Sequence, residues 1–507
     1  MNKSFIKHLF ILACLIVTTS ETQAQSFEEY KKRVQSEFNQ YKSDKEREFK
    51  EYRDRINAEF AEYMRQAWPE YKSKPAQPVP DRPEPPKPVV KDPDTPPSND
   101  PIPFDEVKPA PKPIEPPQPV VPLPKPDKSV TPKPDTPKPV EPAKPTKPVF
   151  TFTFYGRKCE MPLENRHRFK LTNVTENAVA DSWMVLSSDE YLPVVAQCLE
   201  YRDKLHLPDW GYVRFVEQMT TAFFPANQLN EARLMQMYIL TQSGYKVRIG
   251  RADNRLVLLL PSDDDIYMYS YLSVGGKRYY VADKSMRQGS FNVFTREFPK
   301  EQDFSLRIAE QPLFTADLTV PRHLQSKHDK ELTADITINK GLIAFCNDYP
   351  LSNNWDIYAN ASLSEQAKEQ LYPALRSCIA GKNNLAAANI LLHFVQTAFE
   401  YATDEEQFGY ERPLFADETL YYPYSDCEDR AILYSVLVRE LLGLDVVLLH
   451  YPGHLATAVC FDTEVSGDYM MIGGKRYTVC DPTYINADIG QAMPQFKQTA
   501  AKVIKTQ

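Results

Sequence analysis

Prolines are spread very unevenly along this 507-residue chain, and their distribution limits where a core can form. Of the 44 prolines, 28 fall between Pro75 and Pro148. Repeats such as PEPPKP at 83–88 favour extended polyproline conformations, which have no internal hydrogen bonds and cannot bury a core. We therefore predict a proline-rich linker over residues 74–148 that acts as a spacer. A ligand for proline-binding domains is the alternative interpretation.

The chain opens with the pattern of a secretory signal peptide. Two lysines precede an apolar stretch from Leu9 to Val17, and Thr22-Gln23-Ala24 follows. This pattern predicts a cleaved signal over residues 1–24 and an exported protein, in the periplasm, on the surface or secreted. Cys14 lies inside the apolar stretch, which disfavours lipoprotein cleavage. No other segment has the roughly 18 apolar residues that a membrane span requires.

Residues 25–73 carry an aromatic repeat. Eleven residues over three helical turns give about 3.67 residues per turn, so the repeat keeps one face and winds slightly right-handed. We predict an amphipathic helix whose aromatic stripe, within 27–71, self-associates or docks on a partner protein; packing onto its own globular part is the alternative. Mixed charges on the other faces disfavour a membrane-surface helix. The repeated positions are Phe27, Phe38, Phe49 and Phe60, with Tyr30, Tyr41, Tyr52 and Tyr63 three residues after each.

Cys427 lies where a helix is predicted to begin. Apolar residues recur at helical spacing after it, from Ile432 to Leu441, and stop before Gly443. Unpaired N–H groups and the macrodipole at a helix N-terminus favour a thiolate, which is the reactive form of cysteine. The neighbouring carboxylates oppose this, so the thiolate needs a partner cation, and an imidazolium of His454 would supply it.

His454 and Asp481 are predicted to lie on neighbouring strands. A β-prone run follows the Pro452-Gly453 break, and a second follows the Gly473-Gly474 turn. On such strands a carboxylate can orient one imidazole nitrogen while the other deprotonates sulfur. The sequence therefore predicts Cys427 as nucleophile, His454 as base and Asp481 as orienting group.

Alternatives remain for two members of this set and for the oxyanion hole. His450 is the competing base, and Asp481 could instead cap the loop that begins at Pro482. The N–H of Cys427 would supply one oxyanion donor. The second donor is open, with Gln407 and Tyr422 as candidates.

Four short segments together carry a family resemblance. They are Ala416–Leu420, Asp426–Ala431, Gly453-His454 and Asp481–Thr483. With them the chain resembles, over roughly 360–495, the transglutaminase-like superfamily of papain-type thiol enzymes. The resemblance implies the same three catalytic residues, a central helix that carries the cysteine against an antiparallel sheet, and a catalytic domain over 361–507.

The resemblance also sets the expected chemistry. Bacterial members of the superfamily look mostly like peptidases or amidases, so we expect hydrolysis of a peptide or amide bond in a protein or peptide substrate. Protein-glutamine transamidation is one alternative, because it differs only in the nucleophile of the second step. A non-catalytic surface scaffold, multimerised by the N-terminal helix, is the other.

An internal repeat extends this prediction upstream. The segment 275–283 (GGKRYYVAD) matches 473–481 (GGKRYTVCD) at an offset of 198 residues. We therefore predict an α+β chain with tandem transglutaminase-like (papain-like) domains: a degenerate copy over 149–310, a connecting β-rich segment over 311–360 and the catalytic copy. Coincidence between two β-rich domains is the alternative.

The same offset indicates that the upstream copy lacks the chemistry. It sets Leu229, or Gln228 with a slip of one residue, opposite Cys427. It sets Leu256 opposite His454 and retains only Asp283. We expect the upstream copy to pack against the catalytic copy, shape its cleft or hold a substrate.

The remaining composition points away from cofactors and nucleic acid. No Cys-x-x-Cys pair, histidine cluster or Gly-rich phosphate loop is present, so we expect no metal or cofactor. The net charge of −8 and the pI near 5.7 argue against nucleic acid. Outside the signal, seven cysteines are compatible with one free thiol and up to three bridges. A bridge between Cys460 and Cys480 is not predicted.

Overall fold

The computed structural model describes residues 27–77, 88–112, 115–120, 149–286, 288–314 and 317–507. The predicted signal peptide, Cys14 and the linker residues 121–148 lie outside these ranges. The chain divides into two compact units, Met1–Ala58 and Glu59–Gln507. The second unit has a mixed α+β fold and contains both copies of the repeated segment.

The elements of the described residues are as follows. The helices are α1 (Phe27–Met64), α2 (Glu176–Leu186), α3 (Leu192–Lys204), α4 (Asp209–Phe223), α5 (Leu229–Gln242), α6 (Lys340–Asn347), α7 (Trp355–Ala359), α8 (Glu365–Ile379), α9 (Asn384–Thr397), α10 (Asp404–Phe408), α11 (Ala416–Tyr421) and α12 (Cys427–Leu442). The strands are β1 (Glu70–Lys72), β2 (Val89–Val90), β3 (Phe104–Lys108), β4 (Phe150–Phe154), β5 (Arg157–Met161), β6 (Arg248–Ala252), β7 (Arg255–Ser262), β8 (Tyr271–Val274), β9 (Lys277–Val281), β10 (Ser290–Phe294), β11 (Arg322–Gln325), β12 (Thr333–Ile336), β13 (Asp445–Tyr451), β14 (His454–Cys460), β15 (Tyr469–Ile472), β16 (Lys475–Cys480), β17 (Tyr484–Ile485) and β18 (Ala501–Lys505).

Helix α1 ends at Met64, earlier than the limit of 73 expected from its pattern. Ion pairs one turn apart, such as Arg33–Glu37 and Lys42–Glu46, support it along its polar faces. Beyond it, Glu70–Lys72 becomes strand β1. In the first unit, part of the aromatic stripe is exposed, namely Tyr30, Phe38, Tyr41 and Phe49.

Phe60, in the second unit, behaves differently from the earlier members of the stripe. It is buried, and its ring lies 4.9 Å from those of Trp183 and Phe294. The last repeat of the pattern therefore packs on the globular part. The alternative interpretation of the stripe had predicted such packing for the whole helix.

Two six-stranded sheets in the second unit have the same strand order. The upstream sheet runs β1-β10-β6-β7-β9-β8, and the downstream sheet runs β3-β18-β13-β14-β16-β15. A buried helix packs on the two central strands of each, α5 on β6 and β7, and α12 on β13 and β14. The predicted neighbouring strands of His454 and Asp481 are thus confirmed as the pair β14–β16.

The repeated segments form the same hairpin in both sheets. Gly275 and Gly276 turn the chain between β8 and β9, and Gly473 and Gly474 do so between β15 and β16. All four have positive φ, between 58° and 82°. Two-residue hairpin turns of this kind require φ values that glycine adopts without strain, which explains why this short signature recurs.

The N-terminal segment supplies the outer strand of each sheet. Strand β1 pairs antiparallel with β10, and β3 pairs parallel with β18. Strand β2 also pairs with β17, and both Ile102 and Val120 are buried. The expectation of a free spacer is therefore wrong for the described residues 88–112 and 115–120. Proline has no N–H to donate, but the residues between the prolines form backbone hydrogen bonds with the sheets.

Three further expectations can be compared with the structure. Within the segment 311–360 the named strands are the hairpin β11–β12, over 322–336, and the chain continues into α6 and α7. The seven cysteines of the described residues are all free thiols, so none of the three bridges is formed there. Among the described helices, none combines the length and apolarity needed to cross a bilayer.

Candidate active site

Cys427 is the first residue of α12, as its sequence context predicts. Asp426 precedes the helix in an extended conformation, and Gly443 ends it with a φ of 66°. The Cys427 side chain is buried, with 3 % of the residue exposed. As the first helical residue, it places its N–H among the groups that have no intrahelical acceptor. Its Sγ lies 2.9 Å from Glu428 Oε2, to which the thiol donates.

His454 and Asp481 are in direct contact. His454 is the first residue of β14, Asp481 directly follows β16, and His454 Nε2 donates to Asp481 Oδ2 at 2.8 Å. The other oxygen of the carboxylate, Oδ1, accepts from Thr483 N at 2.9 Å. The two interpretations of Asp481 therefore coexist, because one oxygen caps the loop and the other orients the imidazole.

The pKa of His454 depends on three neighbouring effects. Burial lowers it, but the charge and hydrogen bond of Asp481, together with Cys427, raise the pKa of His454 to about 10. The imidazole is thus held as a cation at neutral pH. This is the partner cation that a thiolate at Cys427 requires.

His454 presents its second nitrogen without a hydrogen-bond partner. Nδ1 is buried and unpaired among the described residues. Cys427 is close enough to raise the pKa of His454, although in this state its thiol donates to Glu428. Because Nε2 is bound to Asp481, Nδ1 is the nitrogen that remains for contact with the sulfur of Cys427.

The plane of the imidazole is fixed by stacking. The Phe496 ring, in the short 3₁₀ turn Pro494–Phe496, stacks on His454 at 4.8 Å with 11° between the planes. Tyr451 stacks in turn on Phe496, also at 4.8 Å. These rings leave the base little freedom to rotate. Sequence reasoning missed Phe496, because it follows β16 by a loop with no periodic pattern.

A buried glutamine holds the loop that follows Asp481. Gln396 Nε2 donates to the carbonyl oxygens of Tyr484, Ala487 and Asp481 at 2.8, 3.0 and 3.2 Å. Its Oε1 accepts from Asn486 N at 3.2 Å. Gln396 thereby ties α9 to the loop of the orienting carboxylate. It was also missed, although Phe394-Val395-Gln396 in α9 matches Phe215-Val216-Glu217 in the upstream helix α4.

The alternative base does not lie in this site. His450 packs against Trp355, with ring centroids 5.9 Å apart. Burial, with the nearby charges of Lys502 and Lys108, lowers the pKa of His450 to about 4. His450 lies on β13 and is held neutral by burial and by the two nearby lysines, so it is not placed to act as the base for Cys427.

Neither candidate for the second oxyanion donor is directed at the thiol. Gln407 Nε2 donates to Tyr424 O at 3.4 Å, and Gln407 Oε1 accepts from Tyr424 N. Tyr422 donates its hydroxyl to Asn347 at 2.9 Å. Of the donors considered, the N–H of Cys427 is the one that the helix start itself provides.

The upstream sheet has a different pair in the corresponding place. The hairpin end Ala252–Arg255 corresponds to Tyr451–His454, so Arg255 takes the position of His454 rather than Leu256. Arg255 Nη2 donates to Asp283 Oδ2 at 2.8 Å. Leu229 opens α5 as Cys427 opens α12.

The downstream arrangement contains the groups needed for acyl transfer by a thiol. It has a cysteine sulfur at a helix start, a cationic imidazole and a carboxylate that orients it. Comparison with protein-family models, with curated proteins and with solved structures found no match to this chain.

Proposed function

We propose that the chain is a cysteine hydrolase of the transglutaminase-like class that cleaves a peptide or amide bond. The observation that supports this most strongly is the 2.8 Å contact of His454 Nε2 with Asp481 Oδ2, with Nδ1 unpaired on the side of Cys427. In that arrangement the cationic imidazole can donate one proton and later take one back while the carboxylate holds its orientation.

The proposed reaction has two steps. In the reactive state the proton of Cys427 already resides on His454, as a thiolate–imidazolium pair. The thiolate attacks the substrate carbonyl, and the N–H of Cys427 hydrogen-bonds the developing oxyanion. His454 donates its proton to the leaving amine, and a thioester and a neutral imidazole remain. Water, deprotonated by His454, then attacks the thioester, releases the carboxylic acid and restores the thiolate–imidazolium pair.

Selective alkylation tests the nucleophile without a known substrate. Cys378 and Cys460 are half-buried, whereas Cys427 is buried. Burial raises the pKa of Cys378 and of Cys460, so both should react slowly with iodoacetamide at neutral pH. We expect mass spectrometry to find Cys427 modified first despite its burial.

Two variants sharpen this alkylation experiment. His454→Gln should abolish the preference for Cys427, and His450→Gln should leave it intact. Alkylation of Cys378 and Cys460 ahead of Cys427 in the unsubstituted protein would refute the proposal. Incubation with a glutamine peptide and a labelled amine then distinguishes hydrolysis from transamidation, since only the latter incorporates the label.

We also propose that residues 149–310 are a degenerate copy of the catalytic domain. The shared strand order, the helix on the central strands and the repeated Gly-Gly hairpin support this. With leucine and arginine at the positions of the nucleophile and the base, the copy would pack against the catalytic sheet and shape its cleft.

The N-terminal helix is proposed to self-associate. The exposed aromatic residues of its first repeats would be buried between copies as a coiled coil. Replacing Phe38, Tyr41 and Phe49 by serine should convert an oligomer to a monomer in sedimentation analysis. A monomeric protein before these replacements would contradict self-association.

Export is proposed from the sequence of residues 1–24, and cell fractionation tests it.

A further inference from the structure

Arg322, the first residue of β11, binds the backbone at the end of α11. Its Nη1 donates to the carbonyl oxygens of Thr419, Leu420 and Tyr422, the first two at 3.2 and 3.1 Å, and its Nη2 donates to the carbonyl oxygen of Pro423 at 3.0 Å. The last carbonyls of a helix have no intrahelical donor. One side chain of the hairpin β11–β12 thus binds the end of α11 and the chain that leaves it.

The charge of Arg322 has no carboxylate partner among the residues that the structure describes. Its guanidinium is half-buried and lies over the Phe399 ring, 5.4 Å from the centroid. Burial lowers the pKa of Arg322 to about 10, so the side chain is cationic at neutral pH. A cation removed from water is costly unless polar groups bind it. Here the carbonyl oxygens and the negative end of the α11 dipole compensate the charge, so its role is to bind this backbone.

The backbone bound by Arg322 leads directly into the nucleophile helix. Residues 422–426, here called the entry loop, connect α11 to α12. Further contacts hold the entry loop, since Ser425 N donates to Glu400 O at 3.1 Å and Tyr424 N donates to Gln407 Oε1 at 3.3 Å. Together with Arg322, these contacts set where α12 begins, and with it the position of the first N–H of that helix.

The turn of the same hairpin contacts the loop of the orienting carboxylate. Lys327 N donates to Thr397 Oγ1 at 3.0 Å, and His328 Nε2 lies 3.0 Å from Asn486 Oδ1. Asn486 belongs to the loop that follows Asp481. The hairpin β11–β12 therefore contacts both the entry loop and the loop of the orienting group, so it links the two segments that carry these parts of the site.

We infer that Arg322 is a positioning residue of the proposed reaction. By binding the entry loop it holds the N–H and the sulfur of Cys427 in place relative to His454 and to the developing oxyanion. The inference rests on the proposed hydrolase function. A displacement of about 1 Å in an active site can lower the rate by about 10²-fold, so an anchor of the entry loop affects reactivity without touching the substrate.

The pH dependence of Cys427 alkylation in the full-length protein tests this role. Arg322→Met keeps an apolar side chain but removes every donor. At pH 7 the rate of Cys427 alkylation by iodoacetamide should fall by about 10- to 100-fold. The pH–rate curve should also move to higher pH, because a displaced sulfur loses its contact with the imidazolium. Arg322→Lys keeps the charge with fewer donors, and its curve should lie between those of the unsubstituted protein and Arg322→Met.

Arg307→Met is the matched control. Arg307 is also half-buried, and its Nη2 lies 2.8 Å from Asp356 Oδ2, but within the described residues none of its hydrogen bonds reaches the entry loop. Its replacement should lower the melting temperature and leave the pH–rate curve of Cys427 unchanged. A purely structural role of Arg322 would likewise lower the melting temperature alone. All alkylation is measured at a temperature at which circular dichroism shows the variants to be folded.

Hydrogen exchange measures the anchoring independently of the chemistry. Peptides that cover residues 419–427 should exchange faster in Arg322→Met than in the unsubstituted protein, and at an unchanged rate in Arg307→Met. Unchanged exchange in Arg322→Met would show that Arg322 does not anchor the entry loop, and the inference would be overturned.

The outcomes separate this inference from the hydrolase proposal. If Cys427 is alkylated first in the unsubstituted protein but Arg322→Met leaves the pH–rate curve unchanged, Arg322 is not a positioning residue and the hydrolase stands. Where Arg322→Met does not fold, Arg322→Lys decides by the same criterion. An equal shift of the curve in Arg307→Met would also overturn the inference. A Cys427 that is not alkylated first in the unsubstituted protein would refute both proposals.

Discussion

The upstream and downstream sheets share their strand order but differ in the pair at the end of their central hairpin. Downstream, His454 meets Asp481 at 2.8 Å, and its side chain is fully buried. Upstream, Arg255 meets Asp283 at the same distance, and its side chain is 49 % exposed. The same scaffold thus holds a cation against an aspartate with either residue. In the proposed mechanism, what distinguishes the two sheets is whether the cation can donate a proton beside a buried sulfur, which histidine can do and arginine, always charged, cannot.

Replacing the cation in each sheet tests this distinction with the largest expected effect. His454→Gln should lower the alkylation rate of Cys427, and kcat/KM once a substrate is known, by about 10³-fold or more, because the cation that stabilises the thiolate and donates the proton is lost. Arg255→Gln should change neither. An equal loss in Arg255→Gln would mean that the upstream copy takes part in the chemistry.

The two aspartates form the second matched pair. Asp481→Asn should reduce activity by about 10²–10⁴-fold, because an amide no longer stabilises the imidazolium or selects its orientation. Asp283→Asn removes only a partly exposed ion pair, so the free energy of unfolding should change by less than about 1 kcal/mol. Kinetics and urea denaturation of both variants make the comparison. Retained activity in Asp481→Asn would remove Asp481 from the mechanism.

The pH dependence of stability should also separate the copies. The pKa of His454 is raised to about 10 in the folded protein and is about 6.5 when unfolded. Its stabilising contribution is therefore complete below about pH 6.5 and is lost as the pH rises towards 10, by at most about 1.4 kcal/mol per pH unit.

Urea midpoints between pH 6.5 and 10 measure this loss. The unmodified protein should lose stability over this interval relative to His454→Gln. Arg255→Gln should parallel the unmodified protein, because arginine stays charged throughout. Parallel curves for the unmodified protein and His454→Gln would show that the imidazole is not a buried cation.

The smallest expected effect concerns helix α9 and its upstream counterpart α4. Gln396 in α9 donates to loop carbonyls, whereas Glu217, at the matching position of the upstream Phe-Val segment, binds Arg214 and Arg233. Gln396→Glu places a carboxylate against carbonyl oxygens and should cost about 3 kcal/mol. Glu217→Gln should cost about 1 kcal/mol. Urea denaturation of both variants measures these two costs. A larger loss of stability in Glu217→Gln than in Gln396→Glu would contradict the role assigned to Gln396.

Local signals carried most of what the sequence could predict. The Gly-Gly turns and the apolar spacing after Cys427 predicted the hairpins and α12, since each depends on residues close in sequence. The contact between His454 and Asp481 followed because their strands were predicted as neighbours. The alignment of the upstream strands on the downstream strands was harder to predict. Arg255 to Tyr271 spans one residue more than His454 to Tyr469, so a fixed offset selected Leu256 instead of Arg255.

Long-range contacts could not be predicted. Gln396 reaches carbonyls 85 or more residues away, and nothing in its local pattern selects those partners. The outer strands β1 and β3 were missed for a related reason, since a proline-rich composition hides short strands whose partners lie far along the chain.

The outer strand β3 has a consequence for how the molecule can be divided. It covers the open edge of β18, and β18 in turn supports β13, the neighbour of the strand that bears His454. A truncated protein that starts at residue 149 would leave a bare β-edge available for intermolecular pairing and aggregation. Any minimal fragment meant for crystallisation or assays should therefore begin upstream of Phe104.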